Sequence, residues 1–173
     1  MEKFILREVM KEDLPKRVEW FNDDSARYMR IDRPLTLEKT EQWFEASKNN
    51  PTRKHFAVCD AENGALVGFV GASEIDENEK SASMYIIIGN KAYRGRGNAK
   101  IILGLVLEWF FTEYGGETAI ATPTMMNIKS VRMIYSCGFK DCPDYKGQIE
   151  IDGVTYERGK MILTKEDWKT DFL

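Results

Sequence analysis

The sequence predicts a three-layer α/β/α domain of the α/β (α+β) class: a mixed, mostly antiparallel sheet of six or seven strands with about four helices. Three observations carry this prediction. Short β-branched runs alternate with longer stretches of helical apolar spacing. Two hairpin signals, Ala61-Glu62-Asn63-Gly64 and Asp152-Gly153, join neighbouring runs and make most pairings antiparallel. Finally, the apolar run Ile86–Ile88 breaks at Gly89-Asn90, crosses a polar loop and enters a long apolar helix near Arg96, a strand–loop–helix unit.

In chain order, Phe4–Val9 reads as the first strand, and Glu12-Asp13-Leu14-Pro15 opens a helix with proline in its first turn. Leu14, Val18 and Phe21 fall at helical spacing, and the helix stops near Asn22-Asp23-Asp24. Thr36 caps a second helix, Leu37–Asn49, with Leu37, Thr40, Trp43, Phe44 and Ser47 on one face. His55–Asp60 and Ala65–Ser73 form an antiparallel pair, and Ser81–Ile88 follows a charged loop. The long helix runs from Arg96 to Tyr114 and closes at Gly115-Gly116. Thr118–Pro123 is a short strand, Asn127–Cys137 a helix ended by Gly138, and Phe139-Lys140 begins another strand. Gln148–Ile151 and Val154–Leu163 flank the last hairpin turn, with Tyr156 on the final strand and Trp168 in a short tail.

Length and composition are those of one globular domain, residues 1–173, with 43% hydrophobic and 31% charged residues. No apolar run approaches the roughly 20 residues of a membrane helix; the longest, Ile101–Phe111, is interrupted by Gly104 and Glu108. The opening Met-Glu-Lys-Phe-Ile-Leu-Arg-Glu is too short and charged for a signal peptide. Cys59, Cys137 and Cys142 are an odd number without Cys-x-x-Cys spacing, which fits free thiols in the cytoplasm. A single histidine, His55, argues against a metal site, and a net charge of −3 argues against nucleic acid. That charge suits an amine substrate; nothing in the sequence decides between a monomer and a homodimer.

The loop Arg94-Gly95-Arg96-Gly97-Asn98-Ala99 is the first candidate site. A helix start offers backbone N–H groups without internal partners and partial positive charge, and glycines let an anion approach them. The Walker pattern is excluded for want of Gly-Lys-Ser/Thr, and Lys100 stands where a dinucleotide fingerprint needs a small residue. What matches is Arg/Gln-x-x-Gly-x-Gly/Ala, fitted by Arg94, Gly97 and Ala99, which resembles the acetyl-coenzyme A pyrophosphate loop of the Gcn5-related N-acetyltransferase (GNAT) superfamily. Further on, Asn127, Ser130, Tyr135, Gly138 and Phe139 resemble that superfamily's second signature, and the order of elements is the order of its fold.

The resemblance implies acetyl-CoA as cofactor and a primary amine as acceptor. Backbone amides from Gly95 to Ala99 would hold the pyrophosphate, with Arg94 and Arg96 adding charge, and Ile86, Ile87 and Ile88 would pair with the pantetheine arm where two strands splay. Asn127 and Ser130 would lie beside that arm, Tyr135 would protonate the departing thiolate, and the Ile87 N–H would polarise the carbonyl. By spacing alone Tyr135 is a core residue beside Ile128 and Val131, a reading only the motif reverses, and Asn127 is an ordinary N-cap.

An ammonium with pKa of about 10 must lose a proton before attack. Glu74 is the candidate base, Tyr85 another and a water relay a third; Ser83 stands where relatives often carry an acid, and His55 reads as structural. The opening, Leu6-Arg7-Glu8 through Glu19-Trp20-Phe21-Asn22-Asp23 to Tyr28-Met29, resembles the branch holding ribosomal-protein N-terminal, spermidine and amino-sugar acetyltransferases. Candidate acceptor contacts are Trp20, Asn22, Tyr28, Met29, Arg30, Tyr85 and Tyr156, any of which packing would also explain. The expectation is acetyl transfer to a small-molecule amine. A protein N-terminus, or an acyl-CoA sensor without turnover, is the alternative.

Overall fold

A computed structural model describes residues 3–168; Met1, Glu2 and the residues from 169 to 173 lie outside that range. The seven-stranded main sheet has the order β1 (Phe4–Glu8), β2 (Lys54–Asp60), β3 (Leu66–Asp76), β4 (Ser81–Ile88), β5 (Thr118–Ala121), β9 (Met161–Thr164), β6 (Lys140–Asp141). The strands β7 (Gly147–Ile151) and β8 (Val154–Arg158) form a separate ribbon. Helices α1 (Leu14–Asn22) and α2 (Leu37–Ser47) cover one face of the sheet, and α3 (Asn98–Glu108) with α4 (Ile128–Ser136) the other.

The period-two alternation of strands sorts the core. From β4, Ala82 and Met84 enter the cluster under α3, with Ile102, Val106 and Phe110, while Ile87 joins Trp20, Phe21, Phe69 and Ala57 under α1. α1 is set by a fork: Arg7 donates through both terminal nitrogens to buried Asp13 at 2.7 and 2.8 Å, and Asp13 also accepts from the Met10 amide. Thr36 caps α2, its hydroxyl accepting from the Lys39 amide. Leu37, expected on the packed face of α2, is 46% exposed because it stands in the first turn, beyond the reach of the sheet.

Two sequence expectations change. α3 does not start at Arg96: Arg96 and Gly97 both have positive φ, at 55° and 77°, so the helix begins at Asn98. Its last turn widens to a π-helical segment, Trp109–Tyr114, before Gly115 closes it in the left-handed region. The single strand expected over Val154–Leu163 is two. Gly159 breaks it, with its amide on the Pro123 carbonyl and Met125 sulfur 2.7 Å from where a Cβ would stand, so β8 leaves the sheet plane and carries Tyr156 away from β9.

The topology makes one opening. β4 and β5 are parallel but pair only over Ser81–Ser83 with Thr118–Ile120. Beyond Ser83 the strands diverge, and the β4 edge from Met84 to Ile88 faces a cleft instead of a neighbour. Among the described residues no helix is long and apolar enough to cross a membrane.

Candidate active site

The cleft has a volume of about 510 Å³ and runs from the loop before α3, along the free edge of β4, to a pocket between the residues after α1 and the end of β3. At its α3 end, three successive left-handed residues, Gly95 (φ 82°), Arg96 (φ 55°) and Gly97 (φ 77°), curl the loop. The curl commits the Asn98 amide to the Gly95 carbonyl (3.2 Å) and the Lys100 amide to Gly97 (3.0 Å). Among the described residues the amides of Gly95, Arg96, Gly97 and Ala99 have no backbone hydrogen-bond partner, and no heavy atom lies within 4 Å of a Cβ built on either glycine. That is an open cradle for an anion at a helix start, and it fits a coenzyme pyrophosphate.

Side chains around the cradle do something other than expected. Arg94 is pinned to the end of β4, its Nε donating to the Ile88 carbonyl (2.9 Å) and Nη2 to Gly89 (3.0 Å). Asn98 is buried, donating to the Tyr93 carbonyl (2.8 Å) and accepting from Lys3 (2.7 Å), so it braces the loop from behind. Arg96 is exposed and does not line the cleft. Across the cleft, Asn127 caps α4 through the Ser130 amide (3.4 Å), and Asn127, Lys129 and Ser130 all line the wall.

Tyr135 is a correction. It is 43% exposed and outside the cleft, its hydroxyl donating to the Asp141 carboxylate at 2.7–2.9 Å, a bond that raises its pKa. One residue turns a helix by roughly 100°, and it is Ile134, the preceding residue, that lines the wall. The Gly138-Phe139 turn and the Lys140–Asp141 strand fix this rotation by placing Asp141 under the tyrosine.

Glu74 does stand on the cleft. It has φ 52°, where β3 loses register with β4 between Ser73 and Asp76, and that irregularity turns its carboxylate inward. One oxygen accepts from the Ser83 hydroxyl (2.9 Å), the other from Arg30 (3.2 Å). Tyr28, Met29 and Arg30 line the same pocket; Tyr156 does not line it and packs edge-on against Tyr28 from behind, at 5.9 Å between centroids. Ile86, Ile87 and Ile88 also line the cleft.

Two expected acceptor contacts are packing residues. Trp20 is 6% exposed and rests on Phe69 and on Gly89, where a Cβ would meet its ring at 1.8 Å. Asn22 exchanges two 2.8 Å hydrogen bonds with the Leu35 backbone and ties down the segment after α1.

The sequence reading missed a polar row on the floor of the pocket. His55, Gly71 and Tyr85 stand side by side on β2, β3 and β4. Gly71 leaves room for the Tyr85 ring, so that its hydroxyl meets His55 Nδ1 at 2.7 Å. Burial pushes Tyr85 up to about 12, and burial with the charges of Arg17, Arg53 and Lys54 pulls His55 down to about 3, so both are neutral. Arg17 and Arg158 were missed too: Arg158 reaches back from β8 to the carbonyl and hydroxyl of Thr122. A cation read at sequence level is a surface residue by default, and only the pairing register shows these turned inward.

The acetyltransferase (GNAT) domain family matches residues 3–140. The SPbeta prophage-derived uncharacterized N-acetyltransferase YokL of Bacillus subtilis is 24% identical over 169 residues, 97% of this chain and 93% of that protein. The spermidine N(1)-acetyltransferase of Vibrio cholerae is 23% identical over 133 residues, covering 77% and 76% of the two chains. A crystal structure of the Vibrio cholerae spermidine N-acetyltransferase in complex with CoA and spermine superposes with a TM-score of 0.86 at 22% identity, over 96% of this chain and 98% of that one. With the family matched across four-fifths of its length, and a cleft that presents an anion cradle beside a free strand edge, the chain belongs to the GNAT family of acetyl-CoA-dependent N-acetyltransferases.

Proposed function

We propose that this enzyme transfers acetyl to the primary amine of a small molecule, by direct attack with both reactants held in the cleft. The observation that carries the reading is continuity: one cleft joins the cradle before α3, the unpaired edge of β4 and the pocket that holds Glu74. Bound acetyl-CoA supplies an activated acyl carbon and a thiolate leaving group. The free amides of Gly95, Arg96, Gly97 and Ala99 would hold its pyrophosphate, the backbone of Ile86–Ile88 its pantetheine arm, and Asn127 with Ser130 the opposite side of that arm. A backbone N–H of β4 facing the cleft would polarise the acyl oxygen.

Glu74 takes the ammonium proton, directly or through one water, while Ser83 and Arg30 hold the carboxylate oriented. With Ile134 and not Tyr135 on the cleft wall, the thiolate leaves without a phenol from α4. Most of the acceleration then comes from holding the two reactants together. Similarity to an enzyme named for spermidine supports a compact amine acceptor over a peptide chain.

The test is thiol release from acetyl-CoA against polyamines, amino sugars, amino acids and N-terminal peptides. Turnover with small amines and not peptides is the expected result. Turnover with peptides alone, or coenzyme binding without any turnover, overturns the proposal.

A further inference from the structure

The acceptor pocket carries much positive charge and little negative. Arg17, Arg30, Arg53 and Arg158 line it against the single carboxylate of Glu74, and Arg30 already pairs with that carboxylate. Arg17 is the unusual member. It is 8% exposed, sandwiched between the Phe21 and Trp43 rings at 3.9 and 3.7 Å, and its Nη1 is buried without a hydrogen-bond partner. His55 Nε2 is likewise buried and unpartnered, and the His55 ring leans on the same Trp43 at 4.8 Å. With Tyr85 donating to Nδ1, the imidazole hydrogen is assigned to Nε2, which makes it a second donor.

A buried donor left unpaired is destabilising, more so when charged, and native proteins retain few. Arg17 and His55 both line the pocket against the Trp43 ring, and two unpaired donors there are what an oxyanion would satisfy. Burial lowers Arg17 to about 10, so it remains a cation at neutral pH, and the group that favours its charge is the Tyr85 phenol, not a carboxylate. A second ammonium placed there would meet only like charge.

We propose that the acceptor is a small primary amine that also bears an oxyanion, a carboxylate or phosphate, bound by Arg17 Nη1 and His55 Nε2 while its amine faces Glu74. This rests on the acetyl-transfer reading above and narrows its substrate class from amines in general to zwitterionic ones.

The experiment compares matched series: α,ω-diamines, ω-amino acids and ω-aminoalkyl phosphates of equal chain length, each assayed by thiol release with the wild type, Arg17→Met and Arg17→Lys. A charge-assisted bond of about 1.5–3 kcal/mol predicts that the anionic series exceeds the diamines by roughly ten- to hundredfold in kcat/KM, mostly through KM. Arg17→Met should collapse that ratio toward one, with Arg17→Lys between. The preferred anionic series says which oxyanion the pocket takes. Diamines preferred by the wild type, or a ratio indifferent to Arg17, would overturn the proposal.

Calorimetry with amine-free glutarate and with alkyl phosphates keeps the two readings apart. Arg17-dependent binding of such an anion sustains the oxyanion site even if no amine turns over; absence of binding to protein that still binds CoA sinks the site and leaves acetyl transfer standing.

Discussion

A single residue of rotation decides what Tyr135 can do. Its hydroxyl is spent on Asp141 and its ring stands in solvent, while Ile134 takes the wall of the cleft. Tyr135→Phe should therefore leave kcat within about twofold of wild type, against the 10²–10⁴ that removal of a general acid costs; steady-state thiol release at saturating amine measures it. Sequence pattern alone had the asparagine, the glycine and the spacing of this motif, and lacked the one datum that matters, which face of α4 the short Lys140–Asp141 strand would pull outward. The same holds for Arg17 and His55. Nothing in their neighbours announces burial; it follows from the stacking of Trp43 and the register of three strands.

At the scale of elements, the strand–loop–helix unit was legible because its parts are local. β-branched residues, a polar break and glycines at the needed positive φ all lie within sixteen residues, Tyr85 to Lys100. The cradle depends on Gly97 holding φ 77° ahead of α3, with open space where a Cβ would project. Gly97→Ala has no clash to relieve, so its cost is the left-handed conformation itself, roughly 1–2 kcal/mol. If the loop escapes that strain by leaving the cradle geometry, the cost falls on binding, and CoA affinity drops by roughly five- to thirtyfold. Titration calorimetry with CoA, beside a thermal melt of the free protein, separates the two. The ribbon of β7 and β8 was less legible: its Asp152-Gly153 turn is a local signal, but its departure from the sheet comes from Met125 and Pro123, distant in sequence from Gly159.

Across the whole molecule, the polar floor of the pocket writes itself into stability. His55 is held neutral down to about 3, against 6.5 in an unfolded chain. Between those values the unfolded state binds the proton and the folded state does not, so stability is fully present above 6.5 and declines as pH falls toward 3. Urea midpoints for wild type and His55→Gln should run parallel above 6.5 and converge below it, since glutamine has no proton to gain. Parallel curves throughout would show that the imidazole is not the neutral, buried group described.

The divergence of β4 from β5 has a further consequence. A sheet is ordinarily safe in its middle and exposed only at its rims, yet this one carries a raw seam near its centre, where the backbone from Met84 to Ile88 is paired with β3 on one side and has no strand on the other. Such a seam accepts any extended chain that reaches it, including one from a partly unfolded neighbour. On the proposed binding mode the coenzyme would also shield that edge, and turbidity on heating should set in later with CoA bound than without it.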